Sequence, residues 1–161
     1  MYGNGRWSTD ATLPGKRRQA LRLVTQIAQL REVPVGSTVG YGALWMADRP
    51  TRLAVLPLGY ADGLPRRATA KAEVAIRDQR CPLVGAISMD IAIADVTDLG
   101  GAVAVGDDAV VLGGDGPAAI PAAEYAAWSG LTEYEVTCGI SKRVPRVYSG
   151  AIAAAIGVAP P

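Results

Sequence analysis

Hydrophobic positions along this chain recur in short runs, most too brief for helices and broken by glycine or proline. Leu21, Leu23 and Ile27 fall on one face of an extended segment, with Arg22, Val24 and Gln26 on the other, which predicts a strand from Leu21 through about Glu32. Pro34 and Gly36 make a turn before Thr38-Val39-Gly40-Tyr41. Residues 53–58 are apolar throughout and stop at Gly59; Pro57, lacking an N–H, belongs at a strand end or a sheet edge. Further strands are expected at 73–77, 81–87 and 91–96, the first two joined as a hairpin through Arg77-Asp78-Gln79-Arg80. Residues 103–112 run through a polar turn into one more buried strand, and the glycine-rich stretch 113–117 is a loop. After Pro121 the alanine-rich segment 122–129, closed by Gly130, reads as the one helix. The pattern predicts a mostly β fold, a barrel-like or sandwich β domain with one short helix near residues 122–129.

Composition narrows what such a domain can do. At 161 residues and half apolar, the chain can bury one core of its own. Its 16 basic and 15 acidic residues nearly cancel, so no long-range field favours nucleic acid or an anionic membrane. No apolar run approaches the roughly 20 residues of a membrane helix. The start lacks an apolar signal core, which makes the cytoplasm the default location. Residues 1–19 are expected to be a leader or linker, with Lys16-Arg17-Arg18 solvated, and 149–161 a frayed tail. Histidine is absent, which removes Ser-His-Asp and Cys-His systems and most zinc sites, so no metal site is expected. Cys81 and Cys138 form no CxxC pair and are expected to be two buried free thiols. Catalysis would have to use tyrosine, carboxylate, lysine, arginine or a borrowed cofactor.

Three clusters carry chemistry. The first sets two tyrosines in glycine-flanked turns, Val39-Gly40-Tyr41-Gly42 and Leu58-Gly59-Tyr60-Ala61-Asp62-Gly63-Leu64. The second is Ser88-Met89-Asp90, and the third runs from Glu133-Tyr134-Glu135 through Cys138-Gly139-Ile140-Ser141-Lys142-Arg143-Val144-Pro145-Arg146. Each has a structural reading: Tyr41 as a strand-end aromatic packed on the core, Asp62-Gly63 as an ordinary turn, Met89 as core filler. In this order and spacing, from about Ala20 to Tyr148, they resemble the C-terminal β domain of alanine racemase, a fold-type III enzyme dependent on pyridoxal 5'-phosphate.

That resemblance implies interconversion of L- and D-alanine, a peptidoglycan precursor, by proton exchange at Cα. A phenol has an ordinary pKa of about 10, so a tyrosine base needs nearby positive charge or hydrogen bonds. By resemblance Tyr41 is the catalytic tyrosine, working opposite a lysine. Tyr60 and Arg66 match residues lining the active-site entrance. Met89 matches the residue whose backbone amide holds the substrate carboxylate, and Tyr134 the donor to the cofactor phosphate. The segment 141–146 is expected to be structural, its arginines bridging strands or a domain interface.

The family's other half is a (β/α)₈ barrel, typically about 250 residues, carrying the cofactor lysine. Lys16, Lys71 and Lys142 have no strand-end setting suited to that role. The resemblance therefore implies a cofactor bound by a lysine outside this chain. It also implies a barrel partner in cis or trans, and a homodimer in which one protomer lends its tyrosine to the other. Alone, the chain is expected to be inactive, as a split enzyme, gene fragment or excised domain. The alternatives are a non-catalytic β module or truncated remnant serving dimerisation, and a relative acting on another amino acid such as serine.

Overall fold

In the computed structural model, which describes residues 19–148, the segment expected as one long strand splits in two. Strand β1 (Leu23–Gln26) pairs with β9 (Asp108–Leu112), and β2 (Gln29–Val33) pairs with β5 (Thr51–Leu56). Between them Ile27 is buried to 1% exposure, its N–H donating to Asp107 O while Ala28 N donates to Val55 O. The chain turns a corner here from one sheet into another while both of these N–H groups keep a partner. The inward face shifts at the bend, from Leu23 and Ile27 to Leu30 and Val33, a change that the expectation of one continuous strand passed over.

The first sheet is antiparallel, in the order β1-β9-β6-β7, with β6 at Glu73–Ile76 and β7 at Gln79–Pro82. The expected hairpin joins β6 to β7, and Ile76 pairs with Gln79 across Arg77 and Asp78. Both turn residues have positive φ, 48° and 59°, which suits the right-handed twist of the flanking strands. The strand expected over 81–87 ends at Pro82; beyond it only Leu83 bridges, to Ala94. The second sheet is β2-β5-β8, with β8 at Ala92–Asp95. Continuity of β1 with β2 at one edge and the Leu83–Ala94 bridge at the other give the two sheets the connectivity of a closed barrel, which leaves few edges exposed.

Inside lie Ile27, Leu56, Ile76, Leu112 and Ile120, all nearly solvent-free, each contributing roughly 1.5–3 kcal/mol by burial. The helix α1 (Ala122–Ser129) has the expected bounds and ends at Gly130 in a left-handed conformation. A second helix, α2 (Glu133–Gly139), was not expected. It begins with a capping box, in which the Thr132 hydroxyl accepts from Glu135 N and the Glu135 carboxylate accepts from Thr132 N. The bond from Thr132 N, and after it one donated by the Thr132 hydroxyl, hold the Glu135 carboxyl below its usual range. Cys81 is buried as expected; Cys138, on α2, is exposed, and both thiols are free. No helix among the described residues is long and apolar enough to cross a membrane. The leader and the tail lie outside the described residues, apart from Gln19, whose side chain accepts from Ala122 N.

One small sheet stands outside the barrel: the hairpin of β3 (Thr38–Val39) and β4 (Trp45–Met46). Val39, together with Leu53 and Val84, forms a separate apolar cluster against which Val33, Trp45 and Ile93 pack. Leu53 and Ile93 lie on paired strands of the second sheet, so the hairpin is seated on that sheet and its tip is aimed by a rigid support.

Candidate active site

The hairpin tip is a 3-10 turn, Tyr41–Ala43, and it leaves Tyr41 75% exposed. The residue leading into it, Gly40, has φ 75° and ψ −178°, a region essentially restricted to glycine. A Cβ there would also stand 2.9 Å from Ala86 N. The glycine therefore lets the tip pass against the 85–87 backbone while the phenol projects away. The reading of Tyr41 as a packed core aromatic is excluded by its exposure.

Tyr60 follows Gly59, where a Cβ would meet Ser88 O at 2.3 Å and Met89 O at 2.5 Å. At that close approach Tyr60 N donates to Ser88 O and Ala61 N to Met89 O, both at 3.0 Å. Met89 is half exposed rather than core filler, and with its carbonyl engaged, no bond among the described residues uses its N–H. Arg66 opens the 3-10 turn Arg66–Ala68, and Thr69, which caps that turn, accepts from Ile87 N through its hydroxyl. Tyr41, Tyr60, Arg66 and Met89 thus line one open cleft of about 380 Å3, completed by the 87–91 loop. Four of the five residues picked from sequence meet there. Tyr134, the fifth, does not line it; it sits half exposed in the first turn of α2.

Asp62-Gly63 is more than an ordinary turn. Asp62 is 7% exposed, and its carboxylate accepts from Gly59 N at 2.9 Å. Its other oxygen is paired with Arg143 Nε at 2.8 Å, and Arg143 Nη2 reaches Asp90 Oδ1 at 2.5 Å. The hydrogen bond to Asp90, helped by the charge of Asp62, holds the Arg143 guanidinium more firmly protonated than a free one. The reading of segment 141–146 as structural did not extend to this contact. An acidic residue in each of two cleft turns was the available signal that an arginine would join them. Arg146 acts elsewhere, its guanidinium donating to the Ile140, Ser141 and Val144 carbonyls that follow α2.

Chemically, the cleft offers an exposed phenol, an unused backbone N–H, a second phenol and a guanidinium. That set can carry a proton at the rim and hold an anion beside it. Lys71 and Lys142 are both exposed and neither lines the cleft.

Both the sequence and the fold match known proteins. The family described as "Alanine racemase, C-terminal domain" matches residues 20–148. An alanine racemase of Desulfovibrio desulfuricans is 42% identical over 88% of this chain, which covers 37% of that relative. The biosynthetic alanine racemase structure from Pseudomonas aeruginosa superposes with a TM-score of 0.76 at 40% identity, over 83% of this chain and 36% of that one. An alanine racemase from Bartonella henselae, with covalently bound pyridoxal phosphate, gives 0.77 at 32% identity over 84% of this chain and 37% of that one. The chain thus spans little more than a third of the length of these relatives.

Proposed function

Because the chain belongs to the alanine racemase family, as its C-terminal domain, we propose that it supplies Tyr41 as one of two acid–base groups that interconvert L- and D-alanine. Inverting Cα means taking a proton from one face and returning one to the other, so two groups must flank the substrate. Pyridoxal phosphate supplies the electron sink that makes the Cα–H acidic enough to lose.

The residues present fit that cofactor in part. Tyr134, half exposed on α2, is a phenol donor suited to its phosphate. The lysine that binds it belongs to a barrel domain outside this chain, joined in cis or trans within a homodimer, since Lys71 and Lys142 lie away from the cleft. Tyr41 takes or returns the proton at one face of Cα, and its phenolate needs a positive charge or donor from the facing domain. The Met89 N–H holds the substrate carboxylate, while Tyr60 and Arg66 bound the entrance and select what enters. A cytoplasmic place follows from this role in supplying D-alanine for peptidoglycan.

The observation that carries this reading is the exposed Tyr41, aimed by a glycine tip into the cleft that also holds Tyr60, Arg66 and the Met89 amide. The test mixes the chain with a folded family barrel domain and pyridoxal phosphate, then assays D-alanine formed from L-alanine. Turnover by the mixture, with none from either part alone, is the expected result; a folded, associated pair with no turnover overturns it. That no lysine among the described residues lines the cleft favours a second reading, a non-catalytic β module used for dimerisation, and that outcome would select it.

A further inference from the structure

We propose that Arg143 is a positioning residue that fixes the Met89 amide by clamping the two loops of the cleft to each other. The inference rests on the proposed role of that amide in holding a substrate carboxylate.

The two loops meet through main-chain bonds at one end only. Tyr60 N to Ser88 O and Ala61 N to Met89 O tie residues 60–61 to 88–89. Beyond that point the chains diverge into Asp62 on one side and Asp90 on the other, and no main-chain bond joins them further. The Arg143 guanidinium closes this gap, its Nε on Asp62 and its Nη2 on Asp90. Met89 therefore lies between two restraints: its own carbonyl is held by Ala61, and the next residue's carboxylate is held by Arg143. The Met89 N–H shares its peptide plane with Ser88 O, which Tyr60 N holds, so with the following peptide and Asp90 also fixed that plane has little freedom to turn.

The clamp is also anchored at its base. Asp62 is buried and spends its second oxygen on Gly59 N, so it cannot follow Arg143 if that side chain moves. Asp62 O accepts from Ser141 N at 3.2 Å, and a Cβ on Gly63 would lie 2.9 Å from Ile140 Cα, so the segment carrying Arg143 is packed against the same loop. Asp90, in contrast, is on the exposed side, and Arg143 is its ion-pair partner among the described residues. An arginine suits this place because its planar fork presents separate N–H groups to two carboxylates; a lysine offers a single point charge. No hydrogen bond or ion pair among the described residues joins the clamp to Tyr41, whose hairpin is seated on other residues. Its loss should weaken carboxylate binding and leave the proton transfer at Tyr41 largely in place.

The test has two arms, with Arg143→Ala, Arg143→Lys and Asp90→Asn. In the first arm, amide hydrogen exchange is measured on the whole chain. Loss of the clamp is expected to speed exchange at Tyr60 and Ala61 by about tenfold, the scale of one charged hydrogen bond. Exchange at Ala54, in the central strand β5, should stay unchanged. Equal acceleration at all three would mean a general loss of stability, and no change at Tyr60 and Ala61 would mean no clamp; either result overturns the proposal.

The second arm uses the chain paired with its barrel domain and cofactor. KM for alanine is expected to rise about tenfold, with kcat changed by less than about threefold and partial recovery in Arg143→Lys. A fall in kcat as large as the fall in kcat/KM would overturn the proposal. If the unaltered pair does not racemise alanine, the functional reading fails, while the exchange arm still decides whether the clamp exists. Asp90→Asn, at an exposed side chain, serves where Arg143→Ala does not fold.

Discussion

Tyr125 lies on α1 with 1% of its surface exposed, and its phenol donates to Gly63 O at 2.9 Å; Tyr41 lies at the tip of a hairpin with 75% exposed. Burial pushes the Tyr125 phenol well above its ordinary range, so it keeps its proton and acts as a fixed strut between α1 and the Tyr60 loop. The ring of Trp128 lies beside it, centroids 5.7 Å apart. Tyr41 has no such enclosure. The backbone decides between the two fates: a helix face turned to the core on one side, a glycine tip on the other. The tyrosine used for structure is walled in, and the one at the hairpin tip is left open on its own.

The largest effect expected from breaking this contrast comes from Tyr41→Phe. In the assembled enzyme it should lower racemisation by about 10²–10⁴-fold, the usual worth of a positioned acid–base group. Unfolding of the chain by urea should be unchanged, because the hydroxyl it removes is solvent-exposed.

Gly40→Ala should come next. It forces a side chain into a conformation reserved for glycine and sets a Cβ 2.9 Å from Ala86 N. The expected result is a loss of about 1–3 kcal/mol in stability from backbone strain. Racemisation should also fall by about 10²-fold, because the tip no longer aims the phenol. Calorimetry and D-alanine assays on the same variant separate the two.

Tyr125→Phe inverts the pattern. Removing the strut leaves the Gly63 carbonyl short of a donor and should cost about 1–3 kcal/mol in urea unfolding. Turnover should change by less than about threefold. A large loss of activity without a loss of stability would break the distinction between the two tyrosines.

The smallest effect is a dependence on alkaline pH. Burial, aided by nearby carboxylates, raises the Cys81 thiol to about 11, against roughly 8.5 for a free thiol. Between these values the folded chain holds a proton that the unfolded chain has released, so stability must fall as pH rises. Urea midpoints should be level below about pH 8.5 and decline above it, and Cys81→Ala should delay the onset of the decline. The exposed Cys138 should react with a thiol reagent in the native chain, and Cys81 only after unfolding.

Much of this fold was legible in the sequence because short apolar runs between glycines and prolines leave few alternatives to strands. The hairpin across Arg77-Asp78 and the helix Ala122–Ser129 followed from local rules alone. The split of the first strand at Ile27 did not, since no glycine or proline marks the bend and its only trace is the shift of apolar positions from Leu23 and Ile27 to Leu30 and Val33. The helix Glu133–Gly139 escaped because its polar face and glycine end mask its periodicity, although the capping pair Thr132 and Glu135 announces its start. At the cleft, the tyrosines, Arg66 and Met89 were visible through their motifs. The contact of Arg143 with Asp62 and Asp90 was not, because it joins three turns that only the fold brings together.

The most direct measurement of the central claim follows deuterium at Cα of alanine, with the assembled chain and barrel in D2O, comparing the unaltered chain with Tyr41→Phe. If Tyr41 serves one face, the variant should still exchange Cα–H for deuterium in one enantiomer while forming almost none of the other. Racemisation at the unaltered rate in the variant, or equal loss of exchange for both enantiomers, would contradict a one-face role for the phenol at position 41.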